Sequence, residues 1–584
     1  MTRSFPVQRR VLAACAATAL IAPASASAVQ GSRYHEGASG TAGVVASESP
    51  AAARAGRDAL ARGGNAIDAA VTTVLALGVA RPQSCGIGGG GFMVYRSPDG
   101  RVRTLDFREI AGAAMTADSL SGPGLHKTFT GHLTVGVPGT LAGMATALQR
   151  FGTISLPVAL QPAERLARLG FHVPTSMSGA MARRQKDLAL FPAAAAQYLK
   201  DGAPYAPGDT LKQPELAATL RRLMREGPGA LYGGVLARRI VRDMRAPRPD
   251  TKDPGLLTVK DYSSDQAVWR APVHTTYRGR DVYAMGPASS GGQTMIEMLN
   301  ILEGLDLKGM GETSAQTVTA VAEAPKLAWA DRGTYLGDPA FVQVPLAQML
   351  SKDYAAQRRA EIDLNRAGTF APGVFATQPL ATARAAGEDF NPAGSTTHVS
   401  VIDAKGGAVA VTCTIEQEFG SAVVAPGTGF LLNNELTDFS GPGTANEPAP
   451  GKRPRSSINP TIMVQGGKPV LVAGAAGGST IIMGPTLAIL DTVDFGMTLP
   501  QAVDAQRFDD QGSNKLIIED ARYSPDVLAR LRDVGYTLDA RGEYAVTPRM
   551  QLAGMAVTDR VSTAVSDSRS DRASLAVPVS APPR

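Results

Sequence analysis

The sequence predicts an α+β protein, and three stretches carry that expectation. Residues 49–77 are rich in alanine, with small and apolar residues at helical spacing. Residues 92–95 and 103–107 read as short buried strands. Residues 396–403 and 408–415 are β-branched runs flanking a turn at Ala404, Lys405, Gly406 and Gly407, the pattern of a hairpin. Between these landmarks, residues 154–223 read as largely helical with Pro and Gly at the joints, and 313–330 as a further long helix. No internal repeat is present.

The chain has 584 residues, 44% hydrophobic and 19% charged, an ordinary globular composition with material for a large core. Arg3, Arg9 and Arg10 lie in the first 28 residues, which hold no lysine or acid; removing them takes the net charge from +6 to +3. That is too little to indicate a nucleic-acid partner. Those 28 residues read as an export signal: Arg9 and Arg10, an apolar run over 11–22, and the small residues Ala26, Ser27 and Ala28. The run is too short to span a membrane, so a periplasmic or secreted protein without a stable membrane anchor is expected. The paired arginines are compatible with Tat as well as Sec export.

Cys15 leaves with such a signal, and Cys85 and Cys413 remain. Two cysteines cannot make a disulfide framework. A single bond between them stays open, while two buried thiols is the expectation. Six scattered histidines and no paired cysteines give no metal motif, and no cofactor is expected.

Gly86, Ile87, Gly88, Gly89, Gly90 and Gly91 satisfy GxGxxG in form. A dinucleotide site needs a strand before the glycines and a helix after them. Here the order is reversed, so close backbone packing or a tight turn is expected. Residues 366–395 are rich in Pro, Gly and Ala, carry no period, and read as a long irregular connection. It ends abruptly in a strand that opens on Thr396. Pairing the hairpin about Lys405 and Gly406 sets position 414 opposite position 396 within one residue, so two threonine hydroxyls become cross-strand neighbours. Alone, this is first of all the behaviour of good strand residues.

Several motifs follow in order: Asp106, Phe107, Arg108, Glu109; Thr396, Thr397, His398; Leu431, Leu432, Asn433, Asn434, Glu435; Asp438, Phe439, Ser440; Arg453, Pro454, Arg455, Ser456, Ser457; and Gly477, Gly478. With residues 564–571 near the C-terminus, their order and spacing resemble the γ-glutamyltransferases (γ-glutamyltranspeptidases) from about residue 40 onwards. The resemblance implies a four-layer αββα sandwich of the N-terminal nucleophile hydrolase type. It implies a precursor that cuts itself between Ser395 and Thr396, leaving, after loss of signal residues 1–28, a heterodimer of a large subunit, 29–395, and a small catalytic subunit, 396–584.

The implied chemistry is self-consistent. A threonine hydroxyl is a weak nucleophile and needs a base. The cut gives Thr396 a free α-amine, whose ordinary pKa is near 8, to take and return the proton. By the resemblance Thr414 orients the Thr396 hydroxyl, and the N–H groups of Gly477 and Gly478 form an oxyanion hole. Arg108, Ser456 and Ser457 would take the substrate α-carboxylate, and Glu435 and Asp438 its α-ammonium. The expected reaction cleaves the γ-glutamyl amide of glutathione and related small molecules. The γ-glutamyl group passes through Thr396 to water or to an amino acid or peptide.

Two departures from the family pattern bear on the acyl group. Glu416 stands where many members have asparagine near the α-amino group. The stretch between Asp438 and Ser456 is shorter than in members with a lid, which predicts an open cleft. Rival readings on the same fold are an acylase removing glutaryl-type side chains from cephalosporins and a poly-γ-glutamate depolymerase. Retention of Glu435 and Asp438 speaks against the acylase. An uncleaved, inactive periplasmic binding protein is the reading from another class, and the intact set of Thr396, Thr414, Gly477 and Gly478 opposes it.

Overall fold

A computed structural model describes residues 1–2, 36–121, 129–246, 254–263, 267–375, 394–571 and 573–577. The export signal lies almost wholly outside them, as does 376–393 of the irregular connection; its first part, 366–375, forms neither helix nor strand. No helix among the described residues is long and apolar enough to cross a membrane.

The β-branched run at Thr396 forms the Gly394–Asp403 strand, and its return is the Ala408–Gln417 strand. They are the third and fourth strands of a seven-stranded antiparallel sheet. Gly43–Ser47 and then Ala573–Ala576 flank one side, and Gly90–Arg96, Val102–Asp106 and Val268–Arg270 the other. A second antiparallel sheet, also of seven strands, runs in the order Ala38–Gly40, Ser562–Ser566, Arg549–Met555, Lys468–Ala476, Thr461–Gln465, Arg280–Ala284, Val273–Tyr277.

Strand period decides what lies between the sheets. Val399 and Val401 point outward into a core with Ile67, Val71 and Val74 of the Ala66–Ala80 helix. The alternate residues His398, Ser400 and Ile402 face the second sheet: Ser400 Oγ donates to the Val472 and Gln551 carbonyls, and the His398 ring lies against Gly474. Beyond the second sheet, the Gly291–Leu302 and Met483–Val493 helices bury Met295, Leu299, Leu487 and Ile489 in its core. The central strands are therefore buried on both faces, while the edge strand Val273–Tyr277 exposes His274 and Thr276; the α+β expectation holds.

The helical spacing read over 49–77 is borne out by two helices, Pro50–Ala61 and Ala66–Ala80. Gly63 and Gly64 end the first, and Asn65 with Asp68 makes a capping box that starts the second. One correction concerns the cysteines: Cys85 and Cys413 are joined in a disulfide, with Cα atoms 5.4 Å apart. Composition could not reveal it, because the bond spans 328 residues and depends on Gly91 pairing beside Cys413 across two strands.

Candidate active site

Thr396 pairs directly with Thr414 across the hairpin, after a register irregularity between Gly394 and Thr396. Its hydroxyl donates to Thr414 Oγ1 at 3.2 Å. Thr414 donates onward to the Ser395 carbonyl at 3.4 Å and accepts from the Glu416 N–H at 2.8 Å. One hydroxyl therefore touches both the candidate nucleophile and the carbonyl that precedes it. Thr396 is only 4% exposed in this continuous chain. Behind Ser395, its hydroxyl lies 2.8 Å from that of Ser84.

The glycine loop is a close-packing device at this place. A Cβ on Gly89 would come within 2.0 Å of the Thr414 carbonyl, so only glycine lets the loop reach the hairpin. Helix precedes the loop and strand follows it, an order that does not make a dinucleotide site. Just past Thr414 the backbone is strained: Glu416, Phe419 and Ala422 have φ of 76°, 60° and 62°. Non-glycine residues in that region cluster at functional sites.

Gly477 and Gly478 end the Lys468–Ala476 strand, with φ of 144° and 63°. Ser400 meets Val472 and His398 meets Gly474. The Gly394–Asp403 strand that carries Thr396 also contacts the Gly478–Ile482 turn that follows this pair. Thr480 Oγ1 donates to the Gly477 carbonyl at 2.8 Å and fixes the turn. His398 bonds Thr412 and Ser400, and burial holds its imidazole down at about 3, so it is neutral.

The predicted substrate residues gather around Arg108, which is fully buried. Its guanidinium donates to both Glu435 and Asp438, and its Nε to the Pro454 carbonyl at 3.2 Å. Of the acids Asp438 is the accessible one, its side chain 27% exposed. Burial pushes the Glu435 carboxyl up to about 7 even though Arg108 pulls it down, and it pushes Glu109, beside both, well above the usual carboxylate range. Ser456 and Ser457 follow the two carbonyls nearest Arg108. The Ser456 carbonyl is held by Ser290, and its hydroxyl accepts from the Ile458 N–H at 3.1 Å.

Three contributors were not singled out from sequence. Arg332, on the Ala315–Tyr335 helix, donates to Ser457 Oγ at 3.1 Å and to Ser290 Oγ at 2.8 Å. Glu109 stood unassigned in its motif. Asn446 ties the short stretch after Asp438 onto itself, donating to the Asp438 carbonyl at 2.7 Å and accepting from the Arg455 N–H at 2.8 Å. Chemically, the site combines a hydroxyl pair at a chain carbonyl, a glycine turn beside it, and anchors of both charges within one cluster.

A family model described as gamma-glutamyltranspeptidase matches residues 52–577. The chain is 39% identical over 512 residues to a glutathione hydrolase proenzyme of Escherichia coli (strain K12), covering 84% of this chain and 85% of that one. It is 37% identical over 529 residues to the acylase ACY 1 proenzyme of Pseudomonas sp. (strain V22), covering 89% and 90%. Among solved structures, the cephalosporin acylase of Bacillus halodurans superposes with a TM-score of 0.84 at 27% identity, over 93% of this chain and 97% of that one.

Proposed function

The chain belongs to the gamma-glutamyltranspeptidase family, and on that premise we propose that it is an exported, self-cutting threonine enzyme acting on γ-glutamyl amides. Its reaction is that of a γ-glutamyltransferase and glutathione hydrolase: the γ-glutamyl group leaves its amide for Thr396 and then passes to water or to an amino acid or peptide amine. The two facing sheets, with helices on their outer sides, support a four-layer αββα arrangement.

The observation that carries this reading is the bridge made by Thr414 between the Thr396 hydroxyl and the Ser395 carbonyl. In the precursor, Thr396 Oγ attacks that carbonyl, which Thr414 polarises. The C–N bond breaks, the hydroxyl proton ends on the released nitrogen, and water hydrolyses the resulting ester. The products are a large subunit, 29–395, and a small one, 396–584, that stay together as a heterodimer. The new α-amine of Thr396, with an ordinary pKa near 8, then serves as base toward substrate. The N–H groups of Gly477 and Gly478 receive the developing oxyanion.

Substrate recognition follows from the charge cluster. Asp438 and Glu435 take the α-ammonium, with Glu416 as a further carboxylate beside it. Arg108, Ser456 and Ser457 take the α-carboxylate. The compact segment pinned by Asn446 supports a cleft without a long lid once the chain is cut.

Two measurements test this. On a reducing denaturing gel the wild type gives two fragments and Thr396→Ala one chain; a wild type that stays whole refutes the mechanism. A γ-glutamyl anilide is cleaved faster than a glutaryl anilide. The reverse preference would replace the substrate assignment with that of a glutaryl acylase and leave the fold intact.

A further inference from the structure

Cys85 and Cys413 lie on opposite sides of Ser395 and Thr396 in the sequence, and they are bonded to each other. We infer that the Cys85–Cys413 disulfide is the covalent tie between the two subunits of the mature enzyme. The inference rests on the cut proposed above, and it adds a link that the cut does not require.

The bond sits at the site. Cys413 lies in mid-strand, next to Thr414, and pairs with Thr397 on one side and Gly91 on the other. Cys85 follows Ser84, whose hydroxyl meets that of Ser395, and Gln83, whose carbonyl accepts from the Phe419 N–H at 3.1 Å. The bond therefore fastens the segment that holds the future end of the large subunit to the strand that carries Thr414. Without it, the subunits would be held at this point by non-covalent contacts only, chiefly the pairing of Gly43–Ser47 with 394–403 and of Gly90–Arg96 with 408–417.

Burial sets the order of events. The two cysteines are 1% and 0% exposed, so an oxidant must reach them before the sheet closes over them, in the uncut chain. The chemistry is exchange with a protein disulfide of an oxidising compartment. The two thiols lose two protons and two electrons, the S–S bond forms between Cys85 and Cys413, and the donor disulfide is reduced to its dithiol. Once buried, the bond is out of reach of a thiol in the cleft. That matters for an enzyme whose substrate, glutathione, is itself a reductant.

The test uses the full exported protein, denatured in excess N-ethylmaleimide so that any free thiol is trapped as it becomes exposed, on gels with and without reductant. The expected result is two bands under reduction and a single band of the combined mass without it. Tryptic mass spectrometry of the unreduced sample should give one cross-linked peptide containing both cysteines. Two bands without reductant, with both cysteines alkylated, would overturn the tie while leaving the cut intact. One band even under reduction would show that the cut itself had failed, which the cross-linked peptide separates from the state of the cysteines. Cys413→Ser should run as two bands in either condition. If that variant does not fold, refolding of the wild type from guanidinium replaces it: recovery independent of protein concentration for the oxidised enzyme and concentration-dependent after reduction is expected. Equal concentration dependence in both samples would contradict the tie.

Discussion

Thr414 Oγ1 lies 3.2 Å from Thr396 Oγ1 and 3.4 Å from the Ser395 carbonyl, so a single hydroxyl accepts from one and donates to the other. The relationship follows from hairpin register, since the two residues are direct cross-strand partners. Replacing Thr414 by alanine removes a donor aimed at the carbonyl under attack, a loss of about 10²–10³-fold in rate for such groups. Thr414→Ala should slow self-cutting by that order, and Thr414→Ser should restore most of it, as followed by a time course of fragment appearance.

Gly477 occupies φ 144°, and a Cβ there would approach Thr480 Oγ1 to 2.5 Å. Gly477→Ala should displace the turn and its N–H groups, lowering kcat by about 10²-fold with a much smaller change in KM. Steady-state kinetics on a γ-glutamyl anilide check this. A change confined to KM would assign the turn to binding instead.

Burial raises the Glu435 carboxyl to about 7, against an ordinary value near 4.5. A raised acid holds its proton below that pH and ionises above it, so an ammonium-binding carboxylate becomes available as pH rises through about 7. The ratio of kcat/KM for γ-glutamyl over glutaryl anilide should therefore climb between pH 6 and 8, because only the first compound carries an ammonium. In Glu435→Gln the ratio should be flat across the same range.

Arg332 donates to Ser457 from a helix far away in sequence. If Ser457 takes the α-carboxylate, the neighbouring cation stabilises that same charge. Charge-assisted hydrogen bonds of this kind are worth about 1.5–3 kcal/mol, so Arg332→Gln should raise KM by about 10-fold or more with kcat little changed. Arg332→Lys should recover part of the loss. A fall in kcat alone would contradict this role.

Where the sequence was legible, the cause was local. The hairpin could be read because β-branched residues, a Lys405–Gly406 turn and strand period act over a few residues; they set 414 opposite 396 to within one residue, and the structure makes the two direct partners. The joint between the Pro50–Ala61 and Ala66–Ala80 helices is written locally too, as Gly63, Gly64 and Asn65 with Asp68. Other features depend on the assembled sheet. The Cys85–Cys413 bond requires the Gly90–Arg96 strand to lie beside 408–417. Arg332 meets Ser457 only because the Ala315–Tyr335 helix packs against the loop before the second sheet. The pairing of Arg108 with Glu435 and Asp438 was also hidden, since the partners lie 327 and 330 positions apart and meet only in the folded chain.

In the proposed mechanism Thr396 becomes both a chain terminus and a nucleophile. Sequencing the N-terminus of the smaller fragment from the reduced enzyme tests it most directly. The sequence should begin Thr396, Thr397, His398, and a γ-glutamyl mechanism-based inhibitor should add its mass to the peptide starting at that threonine. A smaller fragment beginning elsewhere, or an active enzyme that remains uncut, would contradict the account.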